Sequence, residues 1–262
     1  MSIDYCFHSH TKRCGHAIGE DEEYVIEAIK KGIKVLGFSD HVFLPNLIDI
    51  DQTRWMRGDY SLLDDYIDSV NYLKERYASK IEIHVGFEAE FIPKYVDYYK
   101  ELLESKKIEY LILGQHCFEG EDGHMIGYGS LNSGDDIKTY TKHLIEGMKS
   151  GLFKYVCHPD LFLIFYDRTK PLFKECSKEI IEASIKYNCP LEINLGGRRA
   201  TFRGEDEIYA NEAFFKIVSE YRDAKVIVGF DAHNPLDYFR SDEKFAEDLI
   251  KNYNLNEIKQ IF

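Results

Sequence analysis

Short apolar, β-branched runs alternate along this chain with longer amphipathic ones. The short runs predict strands from Ile3 to Phe7, Val35 to Ser39, Ile81 to Phe87, Tyr110 to Leu113, Tyr155 to Cys157, Leu191 to Asn194 and Val226 to Phe230. Between them, apolar positions recur at helical spacing, most clearly from Glu20 to Lys31, where Val25, Ala28 and Ile29 share one face. The ends of that stretch also suit a helix. Glu20, Asp21, Glu22 and Glu23 favour the positive N-terminal end of the dipole, Lys30 and Lys31 the other, and Gly32 can take the left-handed stop. Further helices are predicted around Tyr60 to Tyr77, Tyr95 to Ser105, Asp136 to Lys149, Leu172 to Tyr187, Asp206 to Tyr221 and Asp242 to Lys251. Strands separated by helices lie parallel, so the alternation predicts an α/β fold with a closed or nearly closed barrel. Residues 1–262 are read as a single domain, since α/β barrels commonly use this many residues for one unit. Pro45 to Gly58, containing Trp55, is the longest non-periodic connection and a candidate active-site loop.

Each apolar run ends in polar chemistry. Phe7 leads into His8-Ser9-His10, Phe38 into Ser39-Asp40-His41, Phe87 into Glu88-Ala89-Glu90, and Leu113 into Gly114-Gln115-His116. Val156 leads to Cys157-His158-Pro159-Asp160, Ile193 to Asn194 and a Gly196-Gly197-Arg198-Arg199 turn, and Phe230 to Asp231-Ala232-His233. In a parallel barrel all strand C-termini share one face, so these residues converge whatever their separation in sequence. In His8-Ser9-His10 and Asp231-Ala232-His233, alternation points both outer side chains the same way. Imidazole and carboxylate donors without obligatory thiolate suit zinc, iron or manganese, and a set this large exceeds the needs of one four-coordinate ion. Seven of the ten histidines belong to it. His84 in mid-strand, His124 in a Gly-rich loop and His143 on a helix are read as structural or solvated.

Composition narrows the partners. A formal net charge of −13 argues against a surface built to neutralise nucleic-acid phosphates. A small phosphorylated substrate is still compatible, because bound cations reverse the potential inside a cleft. No window approaches the ~18 consecutive apolar residues of a membrane span, and the chain opens without the pattern of a signal peptide. The six cysteines show no CxxC spacing and read as reduced thiols, so the expected location is cytoplasmic. Alternation should turn Cys117 and Cys157 away from the face that carries His116 and His158, whereas the direction of Cys14, in a loop, is left open.

The ordered strand-end motifs resemble those of the PHP (polymerase and histidinol phosphatase) family over essentially the whole chain. Cys14-Gly15-His16-Ala17, Ser39-Asp40-His41 and Gly86-Phe87-Glu88-Ala89-Glu90 look most like its histidinol-phosphate phosphatase branch; many other members carry Asp where this chain has His16. The resemblance implies a distorted (β/α)7 barrel with parallel strands and three divalent metal ions (zinc, iron or manganese) on its C-terminal face. Carried across by residue, one ion takes His8, His10, Glu88 and Asp231. A second shares Glu88 and adds His116 and His158, and a third takes His16, His41 and His233. The implied reaction is hydrolysis of L-histidinol phosphate in histidine biosynthesis, with a metal-bridging hydroxide as nucleophile. Asp160 is the expected general acid and Arg199 the expected phosphate grip, with Arg198 the weaker candidate. Phe43, Trp55, Phe118, Phe162 and Phe165 are candidates to line the substrate pocket.

Two alternatives keep a phosphoesterase or hydrolase chemistry: another phosphomonoester such as phosphotyrosine or a nucleotide, and a cyclic-amide hydrolase of the amidohydrolase type. The latter usually bridges its ions with a modified lysine, and no Lys occupies a matching strand end. A metal-stabilised scaffold protein is the non-catalytic alternative, disfavoured by the complete ligand set. Oligomeric state is not legible.

Overall fold

A computed structural model describes residues 3–46, 56–120, 125–131, 133–164, 167–202 and 209–262, with side chains 201–202 outside that description. Most of the loop around Trp55 lies outside the described residues, as do His124 and Phe165.

Parallel pairing begins with β1 (Tyr5–Cys6), β2 (Val35–His41), β3 (Glu82–Ala89) and β4 (Tyr110–Leu113), in that spatial order. The helices that make the parallel crossovers are α1 (Asp21–Lys31), α2 (Leu63–Arg76) and α3 (Val96–Glu104). The predicted strand from Tyr155 to Cys157 is reduced to a single bridging residue: Val156 pairs with Leu113 on one side and Leu191 on the other. It extends no further because the chain turns at His158, whose φ is 32°. Beyond it lie β7 (Leu191–Asn194), β8 (Lys225–Gly229) and β9 (Asn256–Glu257), again parallel. A Ser9↔Ala232 bridge, with His10 N–H donating to Ala232 O at 2.9 Å, joins the first strand segment to the one following β8 and closes the ring.

The helix predictions hold with shifted ends, at α4 (Gly134–Ser150), α5 (Pro171–Lys186), α7 (Glu212–Val218) and α9 (Glu243–Tyr253). In α1 the Glu20 N–H donates to the Glu23 carboxylate at 2.6 Å, and Gly32, at φ 90°, stops the helix. Beyond the predicted elements lie a hairpin of β5 (Cys117–Glu119) and β6 (Met125–Gly127), β9, and the short α8 (Asp237–Arg240). The Gly196-Gly197-Arg198-Arg199 turn is corrected to a helix, α6 (Leu195–Phe202), capped by Asn194 Oδ1, which accepts from Gly196 N–H at 2.7 Å.

The barrel interior is packed, not hollow. Tyr110 reaches across it to donate to both Phe7 O and Phe38 O at 3.0 Å. Its ring occupies the space that side chains at Gly37 and Gly86 would fill, so these two glycines are required by close approach. Among the described residues no helix is long and apolar enough to cross a membrane.

Candidate metal centre

The strand C-termini bring the predicted donors together. His8 Nε2 lies 3.4 Å from Glu88 Oε2 and 3.5 Å from Asp231 Oδ1; His10 Nε2 lies 3.5 and 3.2 Å from the same two atoms. Donors about 2.0–2.2 Å from a tetrahedral ion are separated by roughly 3.3–3.6 Å, the edge of the tetrahedron. Both Nε2 atoms are buried without a hydrogen-bond partner among the described residues, an arrangement that a cation would relieve. This donor set therefore fits a divalent ion.

Glu88 has a second oxygen, and it serves a second group. Glu88 Oε1 lies 2.8 Å from His158 Nε2 and 3.4 Å from His116 Nε2. On the solvent side of the first cage, His16, His41 and His233 bring donor atoms within 4.8 Å of one another. His233 stacks on His10, their ring centroids 4.0 Å apart. Two of the strand-end residues, His158 and Asp231, have positive φ of 32° and 49°. The unfavourable backbone is held where a side chain must swing abruptly into the cavity.

The carboxylates and imidazoles of the site shift one another's titration. Burial alone would lower His8 and His10, but Glu192 and Asp231 raise His8, while Asp231, Asp40 and Glu88 push His10 up to about 9. Glu88 is held well below the usual carboxylate range; burial opposes this, but His116, His8 and His41 outweigh it. His41 and His233 are pushed well below the ordinary value, chiefly by burial, with His10 adding to it.

Behind the histidines lies a ring of buried groups; sequence reading named Glu90 and Asn194 at strand ends without a role and did not single out Glu192, Arg57 or Tyr209. His8 Nδ1 is 2.8 Å from Glu192 Oε1, and His116 Nδ1 is 3.1 Å from Glu90 Oε1, which also accepts from Arg57 at 2.7 Å. Asp231 Oδ2 faces Asn194 Nδ2 at 3.3 Å and the Tyr209 hydroxyl at 3.4 Å. The available signal was a charged residue inside the apolar run Leu191 to Ile193, since a buried carboxylate demands partners.

Several expectations change. Cys157 is turned off the cavity that His158 lines, yet its thiol lies with His8 and Glu192, donor atoms within 4.8 Å, because it lies behind His8 inside the barrel. Burial keeps that thiol protonated. Cys14 lies similarly beside His10 and His233. Asp160 is fully buried and lies behind the cavity wall, its Oδ2 accepting from Asn211 N–H at 2.5 Å; burial pushes its carboxyl up to about 6. Arg199 reaches the cavity, but its fork is engaged: Nη1 donates to Phe230 O at 2.6 Å and Ser241 Oγ at 2.7 Å, and Nη2 donates to Asp231 O at 2.6 Å. Arg198 instead stacks over Phe245, 4.1 Å from its ring centroid. Phe43, Phe118 and Phe162 are core residues, so the apolar part of the wall comes from Met56, Tyr128, Leu161, Ala200 and Tyr209. His84 is structural as expected, paired with Glu109 at 2.7 Å and stacked on Phe262. His143 packs beside Phe118 on α4.

The cavity over the cage measures about 310 Å³, within the range of small-molecule sites. A parallel α/β barrel with histidine and carboxylate donors converging at its C-terminal face defines a divalent-metal-binding barrel protein. The PHP domain family model matches residues 7–196, and the chain belongs to that family. A probable histidinol-phosphatase of Deinococcus radiodurans is 27% identical over 87% of this chain and 85% of its own length. A probable phosphatase of a Thermoanaerobacter species is 25% identical over 97% of this chain and 91% of its own. The solved structure of a histidinol phosphate phosphatase from Lactococcus lactis, complexed with zinc, L-histidinol and phosphate, shares the fold with a TM-score of 0.69. It is 17% identical and the match covers 98% of this chain and 95% of that one.

Proposed function

We propose that this protein is a metal-dependent phosphomonoester hydrolase whose substrate is L-histidinol phosphate, cleaved to L-histidinol and phosphate. The observation that carries the metal dependence is the meeting of His8, His10, Glu88 and Asp231, in which each imidazole Nε2 lies 3.2–3.5 Å from an oxygen of both carboxylates. The choice of substrate is supported by the relatives named for that activity and by the ligands of the Lactococcus structure. Three ions are proposed, in the groups of His8, His10, Glu88 and Asp231; of Glu88, His116 and His158; and of His16, His41 and His233. Zinc, iron and manganese all accept such donors. When bound, such ions lower the pKa of water towards ~7 and neutralise phosphoryl oxygens.

The chain's own residues then bind, orient and supply a proton. Arg199, anchored on the carbonyls of residues 230 and 231 and 3.4 Å from the Asp237 carboxylate, stands in the wall as a fixed cation that orients the phosphate, rather than offering a free two-pronged grip. The alkoxide leaving from phosphorus must gain a proton. Asp160 is the proposed source, and because it lies behind the wall its proton travels by way of a water molecule. Asp160→Asn should therefore lower kcat about 10²-fold for an alkyl phosphate, yet spare p-nitrophenyl phosphate, whose leaving group needs no proton. Equal losses on both substrates would remove Asp160 from this role.

The assignment itself is tested by phosphate release from metal-reconstituted protein over a panel. Histidinol phosphate should exceed phosphotyrosine and nucleoside monophosphates by at least about 10²-fold in kcat/KM, a gap worth ~3 kcal/mol of transition-state binding. Faster turnover of either competitor would move the protein to a sibling phosphoesterase reading. The six cysteines, all buried and none in a disulfide, support a reducing compartment such as the cytoplasm.

A further inference from the structure

Behind the cage, on the side away from the cavity, lies a carboxylate that touches no reacting atom. We propose that Glu192 is a positioning residue that fixes which ring nitrogen of His8 is free and ties that choice to the backbone at His158, so that two metal subsites are pre-formed together. The proposal rests on the metal-cage reading above.

Glu192 is fully buried in β7, on the same side of the strand as Asn194. Its Oε1 lies 2.8 Å from His8 Nδ1; its Oε2 accepts from His158 N–H at 3.0 Å and from Asn194 Nδ2 at 2.7 Å. The backbone N–H is a donor by necessity. The Asn194 amide is also fixed in orientation, because its Oδ1 already accepts from the N–H groups of Gly196 and Gly197. A carboxylate only accepts, so Glu192 demands a proton on His8 Nδ1. That leaves the Nε2 lone pair facing Glu88 and Asp231, where no hydrogen-bond partner is found among the described residues. The same carboxylate, through His158 N–H, holds the strand end that aims His158 Nε2 at the other oxygen of Glu88. One side chain therefore sets ligands of both groups. The barrel makes space for it: a methyl group at Gly229, on the neighbouring β8, would overlap Glu192 Oε1.

Glutamine is nearly isosteric, yet it cannot replace this carboxylate. It has one accepting end, whereas the site presents donors to both. With its oxygen towards His8, its NH₂ opposes the donors of His158 and Asn194. With its oxygen towards those two, its NH₂ faces His8 Nδ1 and selects the tautomer whose Nε2 bears the proton and cannot bind a cation. Gly229→Ala tests the same placement without altering the chemistry of residue 192.

The experiment is competition for zinc between the metal-free protein and a chromophoric chelator, with circular dichroism confirming that each variant is folded. Glu192→Gln and Gly229→Ala should each bind their tightest zinc about 10- to 100-fold more weakly than the wild type. In zinc-loaded wild-type protein, long-range ¹H–¹⁵N spectra of labelled histidine should show the His8 proton on Nδ1, a readout independent of whether either variant folds. Folded variants that hold zinc as tightly as the wild type, or a His8 proton on Nε2, would overturn the proposal. A wild-type chain that takes up no zinc would instead overturn the cage reading, and the proposal with it.

Discussion

Replacing Glu88 by alanine should lower phosphate release by at least about 10³-fold, more than the 10- to 100-fold typical of groups that only support a ligand. The reason is its position between the donor groups. Its two oxygens lie 2.8–3.5 Å from nitrogens of His8, His10, His41, His116 and His158, five imidazoles on one carboxylate. Gly114, across the strand end, leaves the space that this carboxylate occupies, since any side chain there would overlap it. Metal content measured on the purified variant should fall together with kcat. A folded Glu88→Ala protein that keeps a tenth of the wild-type rate would show that this carboxylate does not join the two groups.

Metal uptake should be strongly pH-dependent and should release protons. His10 is pushed up to about 9 and His8 is also raised, so in the metal-free protein at pH 7 the cage is protonated. A cation must displace those protons, and each one displaced makes the apparent affinity rise about tenfold per pH unit for as long as the metal-free site carries it. The sign follows from the direction of the shift: raised imidazoles hold their protons through neutrality, so affinity climbs from pH 6 to 8 and levels off only near the His10 value. Titration of metal into weakly buffered protein at pH 7 should record at least one proton released per ion at this cage. An affinity that stayed flat over that range would mean that the cation sits elsewhere.

The strand ends were readable in advance for a definite physical reason. An apolar run that stops at His8, His41, Glu88, His116 or Asp231 reports both a strand and its C-terminal edge, and parallel topology then gathers those edges without any knowledge of the loops. The alternation argument worked for His8 and His10, whose rings reach the same pair of carboxylate oxygens. It held for Cys157 too, which is buried off the cavity that His158 lines, although its thiol then meets the groups behind His8. Arg199 was legible as a cation near the site but not as one already committed to carbonyls, since those acceptors follow β8, remote in sequence from α6. The roles of Glu192 and Arg57, and of Glu90, which was named only as a strand-end residue, were hidden for the same reason: what a buried charge does depends on what faces it, and each of these faces a residue remote in sequence.

The Ser9↔Ala232 seam has a consequence for the order of events during synthesis. Half of the first quartet, His8 and His10, leaves the ribosome early, while Asp231 follows only after almost every other strand has been made. On the proposed assignment, an ion of this quartet cannot find its complete set of donors on a partial chain. Its capture would then coincide with the joining of the ring, and a nascent polypeptide stalled before residue 231 should not hold that ion.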